Sequence, residues 1–297
     1  MTKQILIIGG NGFLGYNLAK KLSKLNYHLF LLCKNKSYKL KPVKNAKYIF
    51  CDILEKKNLS VELNREFTYV INLSGNIDHR NKVQTLQTHF FGLKNLINAL
   101  KNSRTKLFIQ AGSSLEYGNL LSPQREQKKC RPISDYGKVK YLATNFLLKK
   151  KRKNKTIILR PYQIYGPYQK KDRLIPSVID SCLKSKKFRC SDGFQMRDFL
   201  YIDDFTDLII KILKKNKIRS GIYNVGSGTP IRVRDVISKI KKISKGGEPM
   251  FGSIQMRSDE TPVLFPDIKK TSSFFKWKPK IKISTGLKKT IKFYENK

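Results

Sequence analysis

Apolar residues fall into short runs, "QILIIG", "HLFLLC", "AKYIFC", "YVINLS", "KLFIQAG" and "TIILRPY", separated by longer mixed stretches. Runs of this length, rich in Ile, Val, Leu and Phe, predict buried strands. The stretches at 12–26, 82–103 and 134–152 place apolar side chains at helical spacing, as in Leu93, Leu96, Ile97 and Leu100, and predict helices. Strand and helix alternate, so the first half reads as an α/β domain, a doubly wound parallel sheet with helices on both faces. Beyond residue 165 the pattern loosens into pieces marked by Gly and Pro, "YGPYQ", "SDGFQ", "GSGTP" and "KGGEP", which predict ligand-facing loops on a smaller C-terminal lobe. The expected boundaries are 1–165 for the larger domain, with 191–224 returning to it, and 166–190 plus 225–297 for the smaller lobe.

The glycine-rich segment "IIGGNGFLG" follows the first of these strands. Gly10, Gly12 and Gly15 satisfy G-x-G-x-x-G, and Gly9, Gly12 and Gly15 satisfy G-x-x-G-x-x-G. Glycines there let backbone N–H groups approach a pyrophosphate at a helix N-terminus, where the helix dipole favours negative charge. With a strand before it and a helix after it, the segment predicts a Rossmann-type dinucleotide site. The end of the second strand usually carries an acid for the ribose 2′-hydroxyl. Here it reads "LCKNKS", with Lys34 in that place, which favours NADP(H) over NAD(H). Asp52, after the third strand, is then placed to address the adenine edge.

Composition changes this picture little. The 40% hydrophobic content of 297 residues supports a sizeable core. A net charge of +41 raises the question of a polyanionic partner. Its lysines, however, are spread along the chain (Lys20, Lys21, Lys56, Lys57, Lys241, Lys242) as on solvated helix faces, which argues against nucleic acid. Five cysteines without Cys-x-x-Cys or Cys/His spacing exclude a readable zinc site and fit a reduced, cytoplasmic protein. No apolar run approaches membrane-spanning length, so no membrane partner is expected.

Two tyrosines followed by a lysine four residues on, Tyr16/Lys20 and Tyr136/Lys140, could form an acid–base pair on one helical face. With lysine at about one residue in six, about two such pairs arise by chance among the tyrosines, so spacing does not choose between them.

Order and position do. The motifs "GGNGFLG", "CDI", "VINLSG", "FFGLKNL", "AGSSLEYG", "YGKVK", "LRPYQIYGP", "RDFLYIDDF", "YNVGSG" and "FKWKPKIKISTGL" span the chain, which resembles the extended short-chain dehydrogenase/reductases, the NAD-dependent epimerase/dehydratase group acting on nucleotide sugars. "GFQMRDFLYIDD" and "FGSIQMRSDE" look most like the abequose and paratose synthase reductases. The resemblance implies Ser113, Tyr136 and Lys140 as catalytic residues and leaves Tyr16 to packing. It implies cofactor contacts from Gly9, Gly12, Phe13, Leu14, Gly15, Lys34, Asp52, Ile53, Leu73, Ser74, Tyr136 and Lys140. Substrate contacts fall to Ser113, Gln163, Arg197 and Arg257, the two arginines on a diphosphate, with Lys171 and Arg173 as further candidates. Lys140 favours the phenolate of Tyr136, since a phenol near pKa 10 is a poor base beside no cation. No metal is implied, and Asp203 and Asp204 read as a helix start. A nucleotide-diphosphate sugar substrate and a homodimer are further implications.

Departures from the family pattern are His89 for the asparagine of N-x-x-G-T, Gln163 for the asparagine of R-P-x-N-x-Y-G-P, and Asn72 for a histidine. His28, His79 and His89 are expected to be structural. Family 4,6-dehydratases carry Asp-Glu directly after the catalytic Ser/Thr. Ser114 and Leu115 stand there instead, which disfavours dehydration. Reduction of a 4-keto-6-deoxy sugar nucleotide is the leading reading, with 4-epimerisation as the alternative. A non-catalytic NADP-sensing or nucleic-acid-associated protein is the reading from a different class.

Overall fold

The computed structural model describes residues 2–37, 40–76, 81–149, 154–256 and 260–296. In chain order the elements are β1 (Lys3–Ile8), α1 (Phe13–Leu22), β2 (Tyr27–Cys33), β3 (Ala46–Phe50), α2 (Lys56–Glu62), β4 (Tyr69–Asn72), α3 (Lys82–Leu86), a π-helical turn (Gln87–Phe91), α4 (Gly92–Ala99), β5 (Leu107–Ala111), a 3₁₀ turn (Ser114–Glu116), α5 (Asp135–Lys149) and β6 (Lys155–Pro161). They continue with β7 (Gln163–Tyr165), α6 (Leu174–Leu183), β8 (Lys187–Arg189), β9 (Met196–Tyr201), α7 (Ile202–Lys214), β10 (Gly221–Val225), β11 (Pro230–Arg232), α8 (Val233–Ser244), β12 (Glu248–Met250), β13 (Val263–Leu264), α9 (Lys269–Phe275) and α10 (Ile283–Glu295).

Among the described residues the main sheet has seven strands in the order β3-β2-β1-β4-β5-β6-β10. The pairings β1 with β2 and β4, β2 with β3, β4 with β5, and β5 with β6 are parallel. Strand order reverses between β1 and β4, and the carboxyl ends at such a switch point form the ligand crevice of doubly wound sheets. Leu6 and Ile8 join Leu59, Leu93, Leu96, Ala143 and Leu147 in one cluster, which packs α2, α4 and α5 on that face. Ile5 and Ile7, of opposite parity, are equally buried, so both faces are covered. Each such side chain stabilises the fold by about 1.5–3 kcal/mol through removal from water.

The helix expected over 82–103 is instead broken by the π turn and ends at Ala99. Thr85, His89, Leu93 and Ile97 are all buried at a spacing of four. On an α-helix of 3.6 residues per turn that spacing drifts about 40° per step. A wider π turn in the middle brings the stripe back onto one face, and it turns His89 inward.

The chain divides into two compact units, Met1–Leu120 with Glu126–Pro161 and Ile209–Tyr223, and Leu121–Arg125 with Tyr162–Leu208 and Asn224–Lys297. The return to the first unit begins at Ile209 rather than at 191, because β9 pairs with β7, β11 and β13 and not with the main sheet. Within the second unit the buried Asp198 carboxylate accepts hydrogen bonds from Ser227 N–H, Ser227 Oγ–H and Gly228 N–H at 2.6–2.9 Å, which fixes the turn after β10. Asp204 there accepts from the Lys280 and Ile281 amides and is a structural anchor. No described helix is long and apolar enough to cross a membrane.

Candidate active site

The loop after β1 is tied down by main-chain bonds, Gly9 N–H to Leu32 O at 2.8 Å and Gly12 N–H to Gly9 O at 3.0 Å. Gly15 is dictated by close approach: a Cβ there would stand 2.2 Å from Gly9 O. Helix α1 begins with no side-chain cap and no acid in its first turn. Its N-terminal amides and dipole therefore suit an anion, and the residues fit the pyrophosphate of a dinucleotide. Phe13 and Leu14 open this helix.

At the ends of β2 and β3, Lys34 Nζ lies 2.7 Å from Asp52 Oδ2. Burial pushes the Asp52 carboxyl up, but the Lys34 ammonium and the Leu54 N–H outweigh it and hold it below the usual carboxylate range. The two residues assigned to different parts of the adenosine are thus one ion pair. Ile53 is buried beside Asp52, and Asn95 Nδ2 donates to its carbonyl at 3.0 Å.

After β4, the chain places Leu73 and Ser74 beside the glycine loop, with Leu73 N–H bonded to Ile8 O at 3.0 Å. The departure Asn72 has a clear use. Its Oδ1 accepts from Ser74 Oγ–H at 2.6 Å and its Nδ2 donates to Gln110 Oε1 at 2.9 Å. Gln110 Nε2 in turn donates to Ala111 O at 3.0 Å, the carbonyl that also receives Lys140 Nζ at 2.8 Å. A buried polar chain therefore runs from the post-β4 loop to Lys140. Sequence reasoning missed Gln110. The signal available was an amide at the carboxyl end of a strand otherwise apolar over "LFI".

Ser113 follows β5 and caps the 3₁₀ turn: its Oγ accepts from Leu115 N–H at 3.1 Å. Helix α5 docks on that turn at Gly137, where a Cβ would stand 2.4 Å from Leu115 O. This contact seats the start of α5, with Tyr136, against the turn after β5, and one turn on Lys140 reaches the Ala111 carbonyl at the end of that strand. Lys140 Nζ lies 5.7 Å from the centroid of the Tyr136 ring. Burial lowers the Lys140 ammonium to about 8, partly offset by the negative charge of Glu116. His89, from the π turn, meets the Tyr136 ring edge-to-face at 5.2 Å and 86°. Its Nε2 lies 3.4 Å from Asn76 O. The expectation of a purely structural histidine thus acquires a contact with the candidate proton donor. Tyr16, in contrast, is buried and donates its hydroxyl to Lys41 O at 2.9 Å.

The remaining candidates belong to the second unit or lie outside the described residues. Gln163 is exposed at the start of β7. Arg197 is buried, donates Nη1 to Met196 O at 2.8 Å, and is ion-paired through Nη2 with Glu260. Lys171 is held by Asp180 at 2.6 Å, and Arg173 precedes α6 as its N-cap residue. Arg257 and His79 lie outside the described residues. Among the described residues no group of three or more His, Cys, Asp and Glu could hold a metal ion.

A doubly wound parallel sheet with a glycine loop at its switch point, and a Ser/Tyr/Lys set at the adjacent strand end, defines a dinucleotide-dependent α/β class. More narrowly, the chain belongs to the NAD dependent epimerase/dehydratase family, whose model matches residues 5–226. It is 29% identical to a putative UDP-glucose 4-epimerase of Methanocaldococcus jannaschii over 98% of both chains. It is 25% identical to human dTDP-D-glucose 4,6-dehydratase over 99% of this chain and 90% of that one. The structure is similar to that of UDP-glucuronic acid 4-epimerase from Bacillus cereus, in complex with UDP-glucuronic acid and NAD, with a TM-score of 0.89 and 25% identity over 99% of both chains.

Proposed function

We propose that the protein is a nucleotide-sugar oxidoreductase that moves a hydride at the sugar C4, and that its reaction is 4-epimerisation of a UDP-hexose. The observation that supports this reading is the packing of α5 on the Ser113 turn at Gly137, with Lys140 bonded to the Ala111 carbonyl and 5.7 Å from the Tyr136 ring centroid. When bound, the nicotinamide supplies the hydride acceptor and donor. Ser113 holds the C4 oxygen with its hydroxyl proton, one Oγ lone pair being engaged by Leu115 N–H. Tyr136 takes the proton of the sugar C4 hydroxyl as the C4–H bond breaks and returns it when hydride re-adds to the opposite face. Lys140 favours the phenolate through its charge. Such acid–base assistance contributes about 10² to 10⁴ in rate.

Elimination of water is disfavoured by the residues that follow Ser113. It needs a further acid and base near C5 and C6, yet Ser114 and Leu115 follow Ser113. The next acid along, Glu116, is fully buried against Arg160. The relative in Methanocaldococcus and the Bacillus structure, both named as 4-epimerases, support epimerisation. Reduction of a 4-keto-6-deoxy sugar with NADPH is the second reading, favoured by Lys34 where family members that use NAD place an acid. Arg197 and Arg257 keep the diphosphate as a proposed role.

The test is a panel of UDP-glucose, UDP-glucuronic acid and UDP-N-acetylglucosamine with NAD, run beside 4-keto-6-deoxy sugar nucleotides with NADPH. C4 inversion in the first set is the expected result. NADPH oxidation confined to the second set would transfer the assignment to reduction, and silence in both would overturn the catalytic reading.

A further inference from the structure

The acid that the reaction leaves unused, Glu116, is wired directly to the serine that it does use. Its Oε1 accepts the Ser113 backbone N–H at 2.8 Å, while Ser113 Oγ accepts from Leu115, so the two side chains cap the turn reciprocally. Oε2 receives both Nε and Nη2 of Arg160, at 3.0 and 2.7 Å. The guanidinium lies over the Tyr117 ring, 4.4 Å from its centroid, and both charged groups are shielded from solvent. A charge pair of this kind is an expensive way to hold a turn, since apolar side chains of similar volume usually serve stability as well or better. What the pair adds is direction. A carboxylate fixed by two guanidinium donors has one oxygen left, and that oxygen is aimed at the Ser113 amide. With the Ser113 backbone locked and one Oγ lone pair taken by Leu115, the hydroxyl proton has a restricted range of directions.

We propose that Glu116, clamped by Arg160, is a positioning residue that orients the Ser113 hydroxyl toward the reacting sugar oxygen. The assignment rests on Ser113 taking part in C4 hydride transfer. The same carboxylate supports the charged form of Lys140, whose ammonium is otherwise disfavoured by burial.

A double-mutant cycle separates this role from plain stabilisation. Turnover of the best substrate in the panel is compared in wild type, Glu116→Gln, Ser113→Ala and the double variant. In the Gln variant the Arg160 donors take the single amide oxygen and leave an NH₂ group against the Ser113 N–H. A fall in kcat of about 10- to 100-fold with little change in KM is expected, as for a misaimed catalytic group. In the Ser113→Ala background the same change should cost less than about 3-fold. Because a lone buried Arg160 can prevent folding, the cycle is repeated with Glu116→Leu combined with Arg160→Met, which removes the pair as a unit. Equal losses with and without Ser113 would show a merely structural role and overturn the proposal, as would an unchanged kcat in the folded pair variant. Full activity of Ser113→Ala alone would overturn the catalytic reading beneath it, and is visible without any Glu116 variant.

Discussion

Lys140 buries its ammonium at the carboxyl end of β5 and donates to the Ala111 carbonyl at 2.8 Å. Burial in that position lowers the group from its ordinary 10.5 to about 8. Between about pH 8 and 10.5 the unfolded chain binds a proton there that the folded chain does not, so stability rises with pH across that window. Below pH 8 both states hold the proton and this contribution to the slope vanishes. Lys140→Met should therefore show no such rise, and the difference between the two profiles should change by on the order of 2 kcal/mol between pH 7.5 and pH 10. Denaturant midpoints of the cofactor-free proteins measure it, and parallel profiles would contradict the burial argument. Turnover should fall above about pH 8, as the ammonium beside Tyr136 is lost.

Tyr136→Phe removes the hydroxyl and keeps the ring that His89 meets edge-to-face. Turnover should fall by about 10² to 10⁴ while the dinucleotide still binds. Single-turnover kinetics alongside cofactor titration check both halves. Wild-type turnover in the variant would remove Tyr136 from the chemistry.

His89→Asn restores the residue usual in the family and deletes the ring contact. Edge-to-face pairs contribute about 0.5–1.5 kcal/mol, so the variant should be less stable by about 1 kcal/mol. Its kcat should fall further than its KM rises, because the Tyr136 ring loses a lateral support. Thermal melts and steady-state kinetics together test this, and a loss of stability without any change in kcat would leave His89 a packing residue.

Lys34→Ala breaks the pair with Asp52. Lys34 is mostly exposed, so the pair is screened and the stability change should stay below about 1 kcal/mol. If Lys34 receives a 2′-phosphate, the variant should bind NADP more weakly and NAD unchanged. Equal effects on both dinucleotides would remove the NADP preference that its position suggested.

Much of this site could be read from residues alone because it depends on local order. The glycine loop is fixed by neighbours in sequence, whereas Ser113 and the Tyr136/Lys140 pair stand out only through the order of motifs along the chain, since the same spacing also picks Tyr16/Lys20. What the chain hid were relations across strands and turns. The pairing of Lys34 with Asp52 joins two strand ends, and the link from Asn72 through Gln110 to Ala111 joins two more. The π turn was legible only in retrospect, as four buried residues spaced at four, a spacing that an α-helix tolerates poorly. The partners of β9 are likewise hidden, because its pairing with β7, β11 and β13 joins segments far apart in the chain.

In the proposed reaction the hydride leaves the sugar C4 and returns to the same carbon. This return is tested most directly with UDP-glucose, or the hexose nucleotide of the panel that reacts, carrying deuterium at C4, incubated with the protein and NAD and followed by NMR. The expected result is the C4-inverted product with deuterium retained at C4 and no net change in reduced nicotinamide. Loss of the label to water, or a label left in place on uninverted sugar in every member of the panel, would contradict it.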